Sequence, residues 1–218
     1  MIRALVFDFD GLILETETPS YQTWAEIYRE HGHELPMDLW HGYVGSDTGF
    51  DPVGHLAALV GEGLDRVSTQ ARRDARKSEL IAALDVMVGV REYVAEAKRM
   101  DLLLAVASSS SRAWVLGHLQ RLGLHAEWDA VRTRDDVART KPAPDLYLAA
   151  VEALGVAPDE AVAFEDSTNG IAAAKAAGLL CVAVPNALTA SMDLSQADLK
   201  LVSLERTPLE QVLLALER

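Results

Sequence analysis

Unbroken apolar runs recur along the chain: "ALVFDF" (Ala4 to Phe9), "LLLAVA" (Leu102 to Ala107), "AVAF" (Ala161 to Phe164), "LLCVAV" (Leu179 to Val184) and "LKLVSL" (Leu199 to Leu204). A shorter, weaker one lies near Trp128 to Val131. As a group they lack the alternation of a sheet wetted on one side, so they predict strands covered on both faces, as in a parallel sheet. Between them the apolar positions fall into helical period. Val90, Tyr93, Val94 and Ala97 share a face, Leu116, Leu119 and Leu122 precede Gly123, and "APDLYLAAVEALG" ends at Gly155. Strands that alternate with helices predict an α/β fold.

One interval breaks the rhythm. A βαβ unit needs roughly 30 residues, yet the first run ends at Phe9 and the second begins at Leu102. A crossover helix between Gly89 and Met100 leaves about seventy residues, too many for a structureless loop in a compact domain. That interval carries helical signals of its own. In "TPSYQTWAEIYREHG", Thr18 or Ser20 stands near a cap, Pro19 near the first turn, Tyr21, Trp24, Ile27 and Tyr28 on one face, and Gly32 as a stop. "DPVGHLAALV" starts with Asp51 and Pro52, and an amphipathic segment follows from Asp65 to Leu84. The expectation is a helical cap over residues 16–85, inserted between the two parts, 1–15 and 86–218, of an α/β core. Trp24, Trp40 and Tyr43 are expected in the cap's own core.

Composition narrows the function classes. A chain of 218 residues, half of them hydrophobic and 24% charged, suits one folded core with an inserted subdomain. A net charge of −13, and no basic cluster larger than "ARRDARK", itself broken by Asp74, argue against nucleic acid as a partner. No run approaches the ~18 apolar residues of a membrane span, and no signal-like segment opens the chain, so a cytoplasmic protein, monomer or weak dimer, is expected. The single cysteine, Cys181, excludes an intramolecular disulfide and sits in an apolar run as a small core residue. The six histidines lack ligand spacing; His41 and His55 are expected in surface or packing roles.

The chemistry gathers where strands end. Asp8 and Asp10 close the first run, Ser108 follows the second, Lys141 the weak third, and Glu165 and Asp166 the fourth. In open parallel sheets ligands bind beyond the carboxyl ends of the strands, so these groups converge on one site. Four carboxylates beside one lysine cannot all stay ionised without compensation, which implies a hard divalent cation. Oxygen donors without histidine or thiol select Mg²⁺. Cation, ammonium, a small hydroxyl and free strand-end amides together make a cradle for a phosphoryl group. Gly11, without a Cβ, is expected to turn its N–H toward the phosphate, Ser109 to add its N–H, and Ser111 to cap the following helix. Arg112 at that helix start is the candidate for a second anionic group on the substrate.

These residues carry a family resemblance. "DFDGLILETE", "AVASSS", "TKPAPDLYL" and "AFEDSTNGIAAAKAAG" resemble, in order and spacing, the four motifs of the haloacid dehalogenase superfamily, and most closely its phosphatase and β-phosphoglucomutase-like branch with a helical cap. The resemblance implies a Rossmann-like, doubly wound core and assigns roles by position. Asp8 corresponds to the nucleophile that forms an aspartyl phosphate, and Asp10 to the acid that protonates the leaving oxygen and then activates water. Ser108 corresponds to the hydroxyl that bonds the phosphoryl group, and Lys141 to the lysine that neutralises it. Mg²⁺ is then expected on Asp8, Asp166 and the Asp10 main-chain carbonyl, with Glu165 as a direct or water-mediated ligand.

Departures from the pattern divide the branch. Where the mutases carry a histidine early in the cap, this chain has Ser20 or Tyr21, and where they carry an arginine in a "GxSR"-like stretch it reads "VGSDTG". Both favour a Mg²⁺-dependent phosphatase of a small, sugar-phosphate-like metabolite over a phosphomutase. The intact Asp10 and the large insert speak against a catalytically silent phosphate-binding protein. Glu15 stands where relatives commonly have Asp, and Val88 where a proline often precedes the glycine; both lie at the hinges of the insert. Arg72, Arg73, Arg76 and Lys77 are the candidate cations of the cap.

Overall fold

A computed structural model describes residues 1–45, 49–61 and 63–217. Six parallel strands form one sheet in the order β3-β2-β1-β4-β5-β6, with β1 Ala4–Phe7, β2 Leu103–Ala107, β3 Ala130–Arg132, β4 Ala161–Glu165, β5 Leu180–Ala183 and β6 Leu199–Lys200. The chain builds outward from β1 in one direction and then returns to build outward in the other. The reversal leaves a crevice at the carboxyl end of β1, where doubly wound sheets bind ligands. Register aims the chemistry there: Phe7 lies opposite both Val106 and Phe164, so the residues that follow emerge at one level.

The two faces of β1 are packed differently. Leu5 and Phe7 point into a cluster of large apolar side chains shared with α5 (Val90–Arg99), α6 (Arg112–Arg121) and α9 (Leu209–Leu216). Ala4 and Val6 point the other way, where Ala105, Ala107, Ala161 and Ala163 let α7 (Asp145–Leu154) and α8 (Thr168–Ala177) approach closely. This explains the missing alternation: each strand is apolar on both sides because each side meets a helix. One weak run behaves as expected and the last one does not. The weak run near Trp128 is a true strand, and the last run shrinks to two residues because Leu204 already belongs to a 3-10 turn, Leu204–Arg206. Cys181 is buried in the sheet, as expected. Among the described residues, no helix is long and apolar enough to cross a membrane.

Between β1 and α5 lie four helices, α1 Glu17–Glu30, α2 Met37–Tyr43, α3 Pro52–Val60 and α4 Arg66–Ala82. They share a separate cluster of Trp24, Ile27, Tyr28, Leu35, Trp40, Val44 and Leu56, with Tyr21 and Tyr43 packed against it. His55 packs there too, its Nδ1 2.9 Å from the Tyr28 hydroxyl. Asp51 and Asp65 cap α3 and α4 through backbone N–H groups. α1 starts earlier than its Ser/Thr signals suggested: the Glu15 carboxylate accepts from the N–H groups of Glu17 (3.1 Å) and Thr18 (3.0 Å), so the hinge residue is itself the cap. The two chain crossings run side by side, Met87 N–H donating to Ile13 C=O at 2.9 Å.

The basic stretch in α4 is only partly a solvated face. Arg72 and Arg76 do point out, pairing with Glu30 and Glu79. Arg73, next to Arg72 and three residues before Arg76, is 8% exposed, because a 3.6-residue period turns one basic residue in every few inward.

Candidate active site

Asp8 leaves β1 into a buried ionic cluster. The Lys141 ammonium, 1% exposed, donates to Asp8 Oδ1 and to Glu165 Oε1 (2.6 Å). Glu165 is saturated by donors: Tyr147 O–H reaches the same oxygen at 2.5 Å, while Asp166 N–H (3.2 Å) and Ser167 O–H (3.3 Å) reach the other. Gly170 packs so close that a Cβ there would overlap the Glu165 carboxyl. Burial alone would lower Lys141, but the facing carboxylates of Asp8 and Glu165 overcome it and hold the ammonium above its ordinary value.

Asp166 is the opposite case. Its Oδ2 accepts from Asn186 Nδ2 at 2.8 Å, whereas its Oδ1 is buried with no partner. One oxygen from each of Asp8, Glu165 and Asp166 falls within 4.8 Å of the others. Burial, and then repulsion from neighbouring carboxylates, pushes Asp8 and Asp166 well above the usual carboxylate range, with Lys141 pulling the other way. A divalent cation fits this donor set. It would satisfy the orphaned Oδ1 and cancel the repulsion, and all donors are the hard oxygens Mg²⁺ prefers.

Gly11 serves a different purpose from the one its sequence suggested. Its N–H is taken by Leu14 C=O (2.8 Å), so it does not face a phosphate. Its φ is +84°, and a Cβ there would lie 2.2 Å from Asp166 Oδ2. The glycine clears space for Asp166, and Asn186 ties the two together by donating to Gly11 C=O at 3.1 Å.

Asp10 turns toward the cap and is gripped by neutral donors. Thr16 O–H (2.9 Å) and Trp114 Nε1–H (3.0 Å) reach Oδ1; Ser108 O–H (3.3 Å) and Ser110 O–H (2.7 Å) reach Oδ2. The carboxyl lines a cavity of about 270 Å³ together with Asp8, the Ser109–Ser111 loop, and Glu17, Ser20, Tyr43, Arg73 and Lys77 from the cap side. Of the two residues that could occupy the mutase histidine position, Ser20 lines this cavity. Tyr21 points into the cap core against Trp40. Residues 46–48 of the "VGSDTG" stretch lie outside the described residues.

The cap is docked on the core. Ser109 O–H donates to Gly45 C=O (3.3 Å), and Asn169 Nδ2, in the first turn of α8, donates to Val44 C=O (2.8 Å). Inside the closed cavity Glu17, 9% exposed, is pushed up to about 7 by burial and then by Asp10, against the pull of Lys77 and Arg73.

Of the expected site residues, Asp8, Asp10, Ser108, Ser109, Lys141, Glu165 and Asp166 come together. Arg112 does not. Its guanidinium pairs with Asp136 and its N–H with Asp135 (2.7 Å), because both acids sit at the turn facing the start of α6. Thr16, Glu17, Ser110, Trp114, Tyr147 and Asn186 were not foreseen. Asn186 follows β5 and was open to the same strand-end rule that found Ser108. Trp114 and Tyr147 occupy apolar helical positions, where sequence cannot tell a polar tip in use from an aromatic in a core.

Comparison with known proteins agrees with this geometry. The model of the haloacid dehalogenase-like hydrolases matches residues 5–184. YhcW of Bacillus subtilis is 43% identical over 214 residues, spanning 98% of this chain and 97% of its own. Validoxylamine A 7'-phosphate phosphatase of Streptomyces hygroscopicus is 31% identical over 94% of this chain and 95% of its own. The crystal structure of CbbY from Rhodobacter sphaeroides in complex with phosphate superposes with a TM-score of 0.74 and 29% identity, covering 94% of this chain and 96% of that one. A buried acid cluster at a sheet reversal, a helical cap docked above it and a family match across most of the chain converge: the protein belongs to the haloacid dehalogenase-like hydrolases, in their phosphatase and phosphomutase-like branch.

Proposed function

We propose that the protein is a Mg²⁺-dependent phosphatase that cleaves a small, sugar-like phosphomonoester through an aspartyl phosphate on Asp8. The observation that carries this reading is the pairing of two unlike carboxylates at one cavity. Asp8 is bound to a buried ammonium, and Asp10 is held by hydroxyl and indole donors two residues away.

Asp8 attacks phosphorus in line with the ester oxygen, and the P–O bond to the alcohol breaks as Asp10 gives that oxygen a proton. In the second half Asp10 takes a proton from water as the water oxygen attacks phosphorus. The bond to Asp8 then breaks, and inorganic phosphate leaves. Lys141 neutralises the phosphoryl oxygens and orients Asp8, and Glu165, saturated by donors, fixes Lys141. Ser108 and the Ser109 backbone contact the transferred group. Asp8, Asp166 and the Asp10 main-chain carbonyl would hold Mg²⁺, with Glu165 contributing at most through water. The ion supplies charge neutralisation to the phosphoryl group. Residues 16–85 act as a cap hinged where residues 13–14 and 86–87 cross, and Ser109 and Asn169 hold it shut while water is excluded.

Ser20 lines the cavity where the mutases carry a titratable histidine, which supports water as the acceptor. A cavity of about 270 Å³ lined by Ser, Thr, Glu, Arg and Lys suits a polyhydroxylated leaving group. Several relatives act on such compounds by name, the validoxylamine A 7'-phosphate phosphatase among them. The deciding experiment is a panel of phosphorylated metabolites with and without Mg²⁺, run beside Asp8→Asn and Asp166→Ala. Phosphate release that needs Mg²⁺ and Asp8 is expected, with weakened Mg²⁺ binding by calorimetry in Asp166→Ala. Release that survives Asp8→Asn would refute the nucleophile.

A further inference from the structure

Of the four donors on Asp10, three can turn round and one cannot. The hydroxyls of Thr16, Ser108 and Ser110 each carry lone pairs and rotate to accept as readily as they donate, whereas an indole N–H only donates. Trp114 Nε1 lies 3.0 Å from Asp10 Oδ1. The ring that carries it is clamped. Its backbone N–H meets the Ser111 cap at 3.3 Å, the Lys77 ammonium of α4 stands 4.7 Å over its face, and His118, one turn on, meets it at a centroid distance of 4.3 Å and an interplanar angle of 72°. Lys77 is a cap residue, so one wall of this clamp arrives only with the seated cap.

We propose that Trp114 is a positioning residue for Asp10, committing Oδ1 to the indole throughout the cycle and leaving Oδ2 as the oxygen that exchanges the proton with substrate and water. This rests on the reading of Asp10 as acid and base given above. The proton passes from Oδ2 to the alcohol oxygen as its bond to phosphorus breaks, with the bonding electron pair remaining on that oxygen. Ser108 and Ser110, which accepted from or stood aside for the protonated Oδ2, then turn to donate to it. When Oδ2 takes a proton from the attacking water they turn back. The indole bond is undisturbed in both halves, so the carboxyl does not rotate between giving and taking. Seating of the cap presses Lys77 onto the indole and completes this alignment when substrate is enclosed.

The test is Trp114→Phe, which keeps an aromatic ring for Lys77 and His118 and removes the N–H together with the second ring of the indole. Single-turnover formation of the phosphoenzyme is followed with the Mg²⁺-loaded enzyme on two aryl esters, p-nitrophenyl phosphate, whose leaving group departs without a proton, and phenyl phosphate, whose leaving group needs one. The expected result is a loss of about tenfold on phenyl phosphate and less than about twofold on p-nitrophenyl phosphate, the pattern of impaired general acid catalysis. Asp10→Asn should show the same asymmetry, larger. Equal slowing of both esters, or none, in Trp114→Phe while Asp10→Asn is asymmetric overturns the role of Trp114 alone. Absence of asymmetry in Asp10→Asn overturns the reading of Asp10 itself. Should Trp114→Phe not fold, the wild-type indole N–H spectrum decides. One of the four indole resonances should be protected from exchange and should lose that protection in Asp10→Ala; no such resonance refutes the contact.

Discussion

Asp8 and Asp10 leave the same strand end two residues apart, and their surroundings share almost no chemistry. Asp8 is set among charges supplied wholly by the core: Lys141 ahead of α7, Glu165 at the end of β4 and Asp166 beyond it, all nearly inaccessible. Asp10 is set among neutral donors drawn from the hinge and the Ser108–Trp114 segment, and opens onto a cavity walled by the cap. A nucleophile must keep its place and regain its charge when substrate is bound; Lys141 holds Asp8 in place and favours the charged form against the burial and neighbouring acids that raise it. An acid that is also a base must bind its proton reversibly, which strong ionic partners would prevent and rotatable hydroxyls permit. The cap can therefore act on Asp10 without touching Asp8.

The most severe way to break this division is Asp8→Asn. An amide cannot attack phosphorus, and turnover of any phosphomonoester should fall by ~10⁴-fold or more while the fold survives, measured as phosphate release alongside a thermal melt. An enzyme that retains activity would return the nucleophile's role to another group.

Next in size is Lys141→Met. It removes the only ammonium from between two buried carboxylates, so Asp8 and Glu165 repel in a low-dielectric site. Breaking a buried pair in this way costs about 3–5 kcal/mol, and chemical denaturation without divalent cations should register it, beside a loss of activity of ~10³-fold. Added Mg²⁺ should recover part of the stability and little of the activity, because the cation relieves the acids without replacing the ammonium.

The contrast between the two carboxylates also separates what the sequence discloses from what it hides. Strand ends were legible to within two residues: apolar runs mark where β1, β2 and β4 stop, and the parallel-sheet rule brings Asp8, Ser108, Lys141, Glu165 and Asp166 into one crevice. The weak run before Arg132 was enough to anticipate β3. The cage around Asp8 is of this kind. The grip on Asp10 is not, because Trp114 acts through one atom of a side chain whose remaining atoms pack like any core aromatic, and Thr16 acts through a hydroxyl at a hinge. The helix start at Glu17 was misplaced because Glu15, an unusual capping residue, took the role expected of Thr18 or Ser20. The inward turn of Arg73 depends on helix phase, to which a run of charges gives no clue.

Glu17 sharpens the comparison from the cap side. Its carboxyl, held at about 7 instead of 4.5 by burial and then by Asp10, is raised on folding, so the folded state binds its proton more tightly than the unfolded chain does. Its contribution is fully present below about pH 4.5 and is lost as pH rises through 7. Above that range the charged form costs about 3 kcal/mol. Glu17→Gln should match the wild type near pH 4 and exceed it by about that amount at pH 8, read as the difference between two denaturation series without divalent ions. A constant offset across pH would mean that Glu17 titrates normally and that the cavity is wetter than its burial indicates.

The smallest effect is expected where sequence and structure disagree most plainly. Arg112 begins α6 one residue after Ser111, close enough in sequence to the phosphate loop to read as an anion-binding arginine. Its guanidinium instead answers Asp136, whose carboxylate also accepts from Thr133 N–H (2.8 Å) and O–H (2.9 Å) and is held below its ordinary value; burial opposes these hydrogen bonds and the neighbouring arginine. The pair is half exposed on the arginine side and therefore contributes little to stability, ~0–1 kcal/mol. Arg112→Ala should thus leave KM and kcat within about twofold and lower stability by less than ~1 kcal/mol. Arg73→Ala, which empties a buried position in the cavity wall and frees the Ser20 carbonyl it now binds at 3.2 Å, should raise KM several-fold at similar kcat. If the two effects were reversed, with Arg112 controlling KM, the anion site would lie on the core side of the cavity, and the cap would be a cover without a part in choosing the substrate.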